Sequence, residues 1–139
     1  MVSKKVYIET DGFIPFIDRG HPKHVHATAF FRYFAQERYQ LYTSVTTINE
    51  CYDYLYHSIS PGIAKDFLRA MYMSSINIIY PEPSDIKSAI KVVATSSVVE
   101  LTFSKALVSV MNNRRSIPQV CTFGYLPSLF GLQTFYLPL

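Results

Sequence analysis

The chain has no tryptophan, only two cysteines, and no run of the roughly 18 uninterrupted apolar residues that a membrane helix takes. The last absence excludes a helical membrane span. Cys51 and Cys121 lie far apart and outside any CxxC pattern, so the simplest reading is two free thiols in a reducing compartment, with one disulfide as the alternative. The first residues, Met1 to Glu9, reach charge at once and show no apolar core of a secretory leader, which points to the cytoplasm. There is no internal repeat, no low-complexity tract and no charged linker, so residues 1–139 are expected to form a single domain. No Gly-x-Ser-x-Gly elbow is present, which argues against a serine hydrolase of the α/β type. Thirteen Lys/Arg against ten Asp/Glu give a formal charge of +3, and no basic run exceeds two residues. A charge so mild and scattered implies no nucleic-acid partner, although it suits an anionic carrier.

What is present is apolar and aromatic. The hydrophobic share is 49%, the charged share only 17%, and eleven Tyr with ten Phe suit a chain that lines an apolar pocket or an interface as well as a core. Residues 4–10 alternate, with Val6 and Ile8 against Lys5, Tyr7 and Glu9, and predict an opening strand. From about Thr28 to Val45 there is no Gly or Pro, and Phe31, Phe34, Ala35, Tyr42 and Val45 recur at three and four residues. That spacing predicts one long buried helix capped by Thr28. Residues 46–65 are ambiguous between a short helix and an aromatic loop. Beyond them the period looks like two: strands are expected over residues 66–80, 88–99, 101–110 and 120–125, with a polar turn at Asn112–Ser116. One helix followed by an antiparallel meander is an α+β arrangement.

In order and spacing, Asp18, Gly20, Val25-His26, the aromatic stretch Ala29–Phe34 with Arg38, and the later run Ile76–Asp85 resemble the 4-hydroxybenzoyl-CoA thioesterase-like branch of the hot-dog family. The chain departs from that pattern at Ala35, where many relatives carry a Glu, and Glu9-Thr10-Asp11 offers Asp11 as a competitor to Asp18. The resemblance implies a hot-dog fold, a long central helix wrapped by a curved antiparallel sheet. It also implies a homodimer or homotetramer and hydrolysis of acyl thioesters of coenzyme A or acyl carrier protein. The alternatives are a dehydratase-like enzyme on the same scaffold, or a non-catalytic acyl-binding module.

Thioester hydrolysis needs a polarised carbonyl and an activated nucleophile. Free N–H groups at a helix start, here Ala27 and Thr28, would hold the oxyanion. Asp18 would attack or act as base, and His26 would donate or shuttle a proton. His24, Arg114 and Arg115 are candidate contacts to substrate or carrier. His21, His24 and His26 stand in an H-x2-H-x-H pattern, but with no further ligands at spacing they are read as loop residues, and neither metal nor cofactor is expected.

Overall fold

A computed structural model describes residues 4–138. In chain order the elements are β1 (Lys5–Ile8), α1 (Thr10–Ile17), α2 (His24–Gln36), β2 (Gln40–Ser44), α3 (Val45–Ser58), α4 (Pro61–Met73), β3 (Asn77–Ile79), α5 (Pro83–Thr95), α6 (Phe103–Arg114), β4 (Gln119–Cys121) and β5 (Gln133–Thr134). The strands form one sheet in the order β3-β2-β1-β4-β5, and every pairing is parallel. This is an α/β fold. The expected α+β hot-dog arrangement, with an antiparallel sheet around one helix, is wrong.

The central strand shows why the sheet needs helices on both faces. Val6, Tyr7 and Ile8 are all fully buried. Successive side chains of a strand point to opposite faces. Val6 and Ile8 accordingly join a large core with Phe13, Phe30, Phe34, Leu55 and Phe67, from α1 to α4. Tyr7 packs instead with Val108 of α6, Ile117 and Val120. A third cluster, Ala89 with Ala106, Leu107, Val110 and Met111, locks α5 onto α6.

The helices replace expected strands at sites whose caps explain them. Ser44 accepts from the Thr47 N–H and opens α3, so the expected helix over 28–45 ends at Gln36 and yields a strand before a new helix begins. Ser60 accepts from the Ile63 N–H, with Pro61 in the first turn where its missing donor costs nothing. The expected strand over 66–80 is therefore mostly α4, with only Asn77–Ile79 extended. Pro83 opens α5 across the expected strand 88–99. Thr102 accepts from the Lys105 N–H and opens α6 across the expected strand 101–110 and into the expected turn at 112–116. From the expected strand set there survive the opening strand, β3 at the end of the expected 66–80, and β4, which overlaps the start of the expected 120–125.

One loop vacancy ties the sheet to α1. Pro15 sits inside α1 and has no N–H to give to the carbonyl four residues back. That carbonyl, on Asp11, accepts instead from Phe123 N–H at 3.1 Å, just after β4. Gly12 lies under the same strand end. A Cβ there would overlap the Cys121 carbonyl, so only glycine lets α1 leave β1 this closely. Among the described residues, no helix is long and apolar enough to cross a membrane.

Candidate active site

In an open parallel sheet, ligands bind outside the carboxyl ends of the strands where the strand order reverses. Here the chain runs from β1 outward through β2 to β3, then returns to the other side of β1 with β4. The switch point therefore lies between the carboxyl ends of β1 and β4. Glu9 immediately follows β1, and Thr122 immediately follows β4. The Thr122 hydroxyl donates to Glu9 Oε1, and the Gly124 N–H donates to the Thr122 hydroxyl oxygen at 3.0 Å.

Two helices complete the cleft. Glu50, from the second turn of α3, accepts at Oε1 from the Thr10 hydroxyl at 3.0 Å and from the Ser104 hydroxyl at 2.9 Å. Thus α1, α3 and the start of α6 meet on one carboxylate. Lys105, next along α6, donates from Nζ to the Tyr125 carbonyl and lies 5.2 Å from the Tyr125 ring centroid. Glu9, Asp11, Glu50, Ser104 and Lys105 all line a cavity of about 200 Å³. The position of α3 is set from below: the Tyr7 hydroxyl hydrogen-bonds Ser44 Oγ at 2.7 Å and Thr47 Oγ1 at 2.8 Å.

Burial dominates the electrostatics of Glu9. At 5% exposure its carboxylate is poorly solvated, and its pKa is pushed up to about 7. The Thr122 hydrogen bond and Lys105 act in the opposite direction, while Asp11 and Glu50 add to the rise. A carboxyl group that changes charge near neutrality, at a switch point, has the properties of a general acid–base. Cys51 and Cys121 lie beneath it, buried and free, and burial raises the pKa of both thiols; neither is a ready nucleophile.

The residues expected to act lie elsewhere. Asp18 follows α1, accepts from the Gly20 N–H at 3.0 Å, and sits at the rim of a separate, mostly apolar cavity of about 720 Å³ walled by Phe13, Phe31 and Phe67. That cavity shares no residue with the carboxylate cleft. His26 is exposed on α2. Ala27 and Thr28 are not at the helix start: the Ala27 N–H already donates to Lys23 at 2.9 Å, and the Thr28 hydroxyl to His24 at 3.0 Å. They form no oxyanion hole. A His24 ring nitrogen lies 2.9 Å from the Pro15 carbonyl and joins α2 to α1. Arg114 and Arg115 are not free to meet a carrier, because both pair with Asp85, at 3.1 and 3.2 Å. Of the residues considered from the sequence, Asp11 alone belongs to the cleft. Glu9, Glu50 and Lys105 were missed. Glu9-Thr10-Asp11 directly after a strand was the available signal.

No protein-family model and no curated protein sequence matches the chain. Solved structures do. One is VapC20 of Mycobacterium tuberculosis, a Sarcin-Ricin loop cleaving toxin. The match has a TM-score of 0.77 at 14% identity and covers 86% of this chain and 89% of that one. At that identity the match shows the fold alone, a parallel α/β fold shared with that toxin, and overturns the hot-dog resemblance. Thioester hydrolysis, its dehydratase-like and acyl-binding alternatives, and coenzyme A or acyl carrier protein as partners fall with it. So does the argument for a homodimer or homotetramer. That assembly was implied by the resemblance, and the edge strands β3 and β5 are only three and two residues long. The exclusion of nucleic acid rests on a mild net charge and scattered basic residues, and a protein of this fold is a Sarcin-Ricin loop cleaving toxin.

Proposed function

We propose that the chain is an RNA-directed ribonuclease of the VapC type, acting in the cytoplasm on a phosphodiester held in the cleft between β1 and β4. The observation that carries this reading is Glu9, a buried carboxyl tuned to about 7, at the switch point of a fold that an RNA-cleaving toxin shares. In this reading the Glu9 carboxylate accepts the proton of the attacking hydroxyl as its oxygen bonds to phosphorus. The bond from phosphorus to the leaving oxygen then breaks, and that oxygen takes up a proton. Lys105 offsets the charge that builds on the phosphate oxygens. Glu50, gripped by Thr10 and Ser104, keeps the three helices in register around the phosphate.

The test is incubation of the purified protein with a sarcin–ricin-loop hairpin and with an unstructured RNA, followed by mapping of the product ends. Discrete cuts that disappear in Glu9→Gln support the reading. A second reading, RNA binding without cleavage, is favoured by a specific observation. Lys105 stands in the cleft wall beside Glu9, Asp11 and Glu50 and offers a phosphate an ammonium to pair with. Retention of RNA with no cut in wild type would select it. Absence of both binding and cleavage would remove the two together.

A further inference from the structure

Nucleases that activate a phosphodiester with metal ions hold them on carboxylates converging from several elements. The cleft here does not offer that donor set. Among the described residues, no group of three or more His, Cys, Asp or Glu side chains is placed to hold a metal ion. Glu9, Asp11 and Glu50 line one cavity, but Glu9 is engaged by the Thr122 hydroxyl, Glu50 by the Thr10 and Ser104 hydroxyls, and a cation, Lys105, stands in the same wall.

Lys105 is poorly placed for folding alone. It occupies the first turn of α6, where the helix dipole disfavours positive charge. Glu9 and the neighbouring acids of the cleft offset this, since Lys105 and Glu9 interact electrostatically. The ammonium is also positioned, by the Tyr125 carbonyl and the Tyr125 ring, and is only partly exposed. A hard divalent cation takes about six oxygen ligands and would meet a fixed positive charge in the same small cavity.

We propose that the cleft carries its own cation, the Lys105 ammonium, in the place where a divalent metal would bridge the carboxylates and a phosphate. Lys105 is then a phosphate-binding residue and the site works without divalent metal. That the anion is an RNA phosphate rests on the reading above; the exclusion of metal does not.

The experiment is a titration of the full chain with Mn²⁺, followed by electron paramagnetic resonance of the free ion, for wild type, Glu50→Gln, Lys105→Asp, Lys105→Gln and the double variant Lys105→Asp/Glu50→Gln. Wild type is expected to show no stoichiometric Mn²⁺ site. Lys105→Asp is expected to bind at least about tenfold more tightly, because one positive charge leaves and one carboxylate ligand arrives. The double variant should lose that gain. Stoichiometric Mn²⁺ on wild type that is lost in Glu50→Gln overturns the proposal, whether or not Lys105→Asp folds; Lys105→Gln then shows whether the ammonium was merely a bystander. RNA retention in chelator is measured separately. Loss of RNA binding in chelator, restored by Mg²⁺, overturns the proposal as well, whereas no RNA binding under any condition sinks the ribonuclease reading and leaves the Mn²⁺ result to decide the cation.

Discussion

Replacing Glu9 with Gln should make the protein more stable at alkaline pH and, in the same variant, abolish cleavage. The folded-state pKa of about 7 lies above the ordinary 4.5 because burial removes water from the carboxylate. A carboxyl with a raised folded pKa contributes stability that is fully present below about 4.5 and lost as pH rises through about 7. At about 1.36 kcal/mol per pH unit, the interval amounts to about 3 kcal/mol forgone above neutrality, as an upper estimate. Gln keeps an amide oxygen where Thr122 donates but carries no charge, so it removes the penalty and retains the hydrogen bond. The assay is urea unfolding at pH 5 and pH 8. With a slope of about 2 kcal/mol per molar, the midpoint of Glu9→Gln should exceed wild type by up to about 1.5 M at pH 8 and by little at pH 5. A wild-type midpoint that does not fall between pH 5 and 8, or a Glu9→Gln variant less stable at both, would refute the reasoning. Stability given up at one acidic group is the usual mark of a group retained for chemistry.

Two other substitutions test the frame of the site. Asp85 is fully buried at the start of α5, and burial opposes its charge; even so, the Glu82 N–H, Arg115 and Arg114 hold its pKa below the ordinary value. Asp85→Ala should therefore cost about 3 kcal/mol near neutral pH. The wild-type advantage should fade as pH drops below about 4, measured as convergence of the two unfolding midpoints in acid. Gly12→Ala should cost about 1–3 kcal/mol, because its Cβ meets the Cys121 backbone rather than a side chain that can turn away. Because α1 carries Asp11 and Thr10, the same variant should lower any cleavage at temperatures where it remains folded. An unchanged melting temperature would show that α1 is not held against β4 as described.

Several features were determined locally and are readable in the chain. Val6-Tyr7-Ile8 is an apolar run that any sheet would bury, and the opening strand is where it was expected. Ser44, Ser60-Pro61, Glu82-Pro83 and Thr102 each carry helix-start chemistry, and each begins a helix. Read with Ala106, Leu107, Val110 and Met111, which recur at helical spacing, they would have replaced the expected meander with helices. The alternation there suggests a period of two, and its Val, Ile and Thr favour strands individually, but packing between α5 and α6 outweighs that preference. The cleft was not readable in this way. Glu9, Glu50 and Lys105 are separated by some forty and fifty-five residues, and nothing in local pattern relates them. Only parallel pairing of β1 with β4, and the return of the chain across β1, carries the start of α6 to the same strand end as Glu9. The titration of Glu9 is likewise a tertiary property, since a carboxyl is an ordinary acid until folding removes its water.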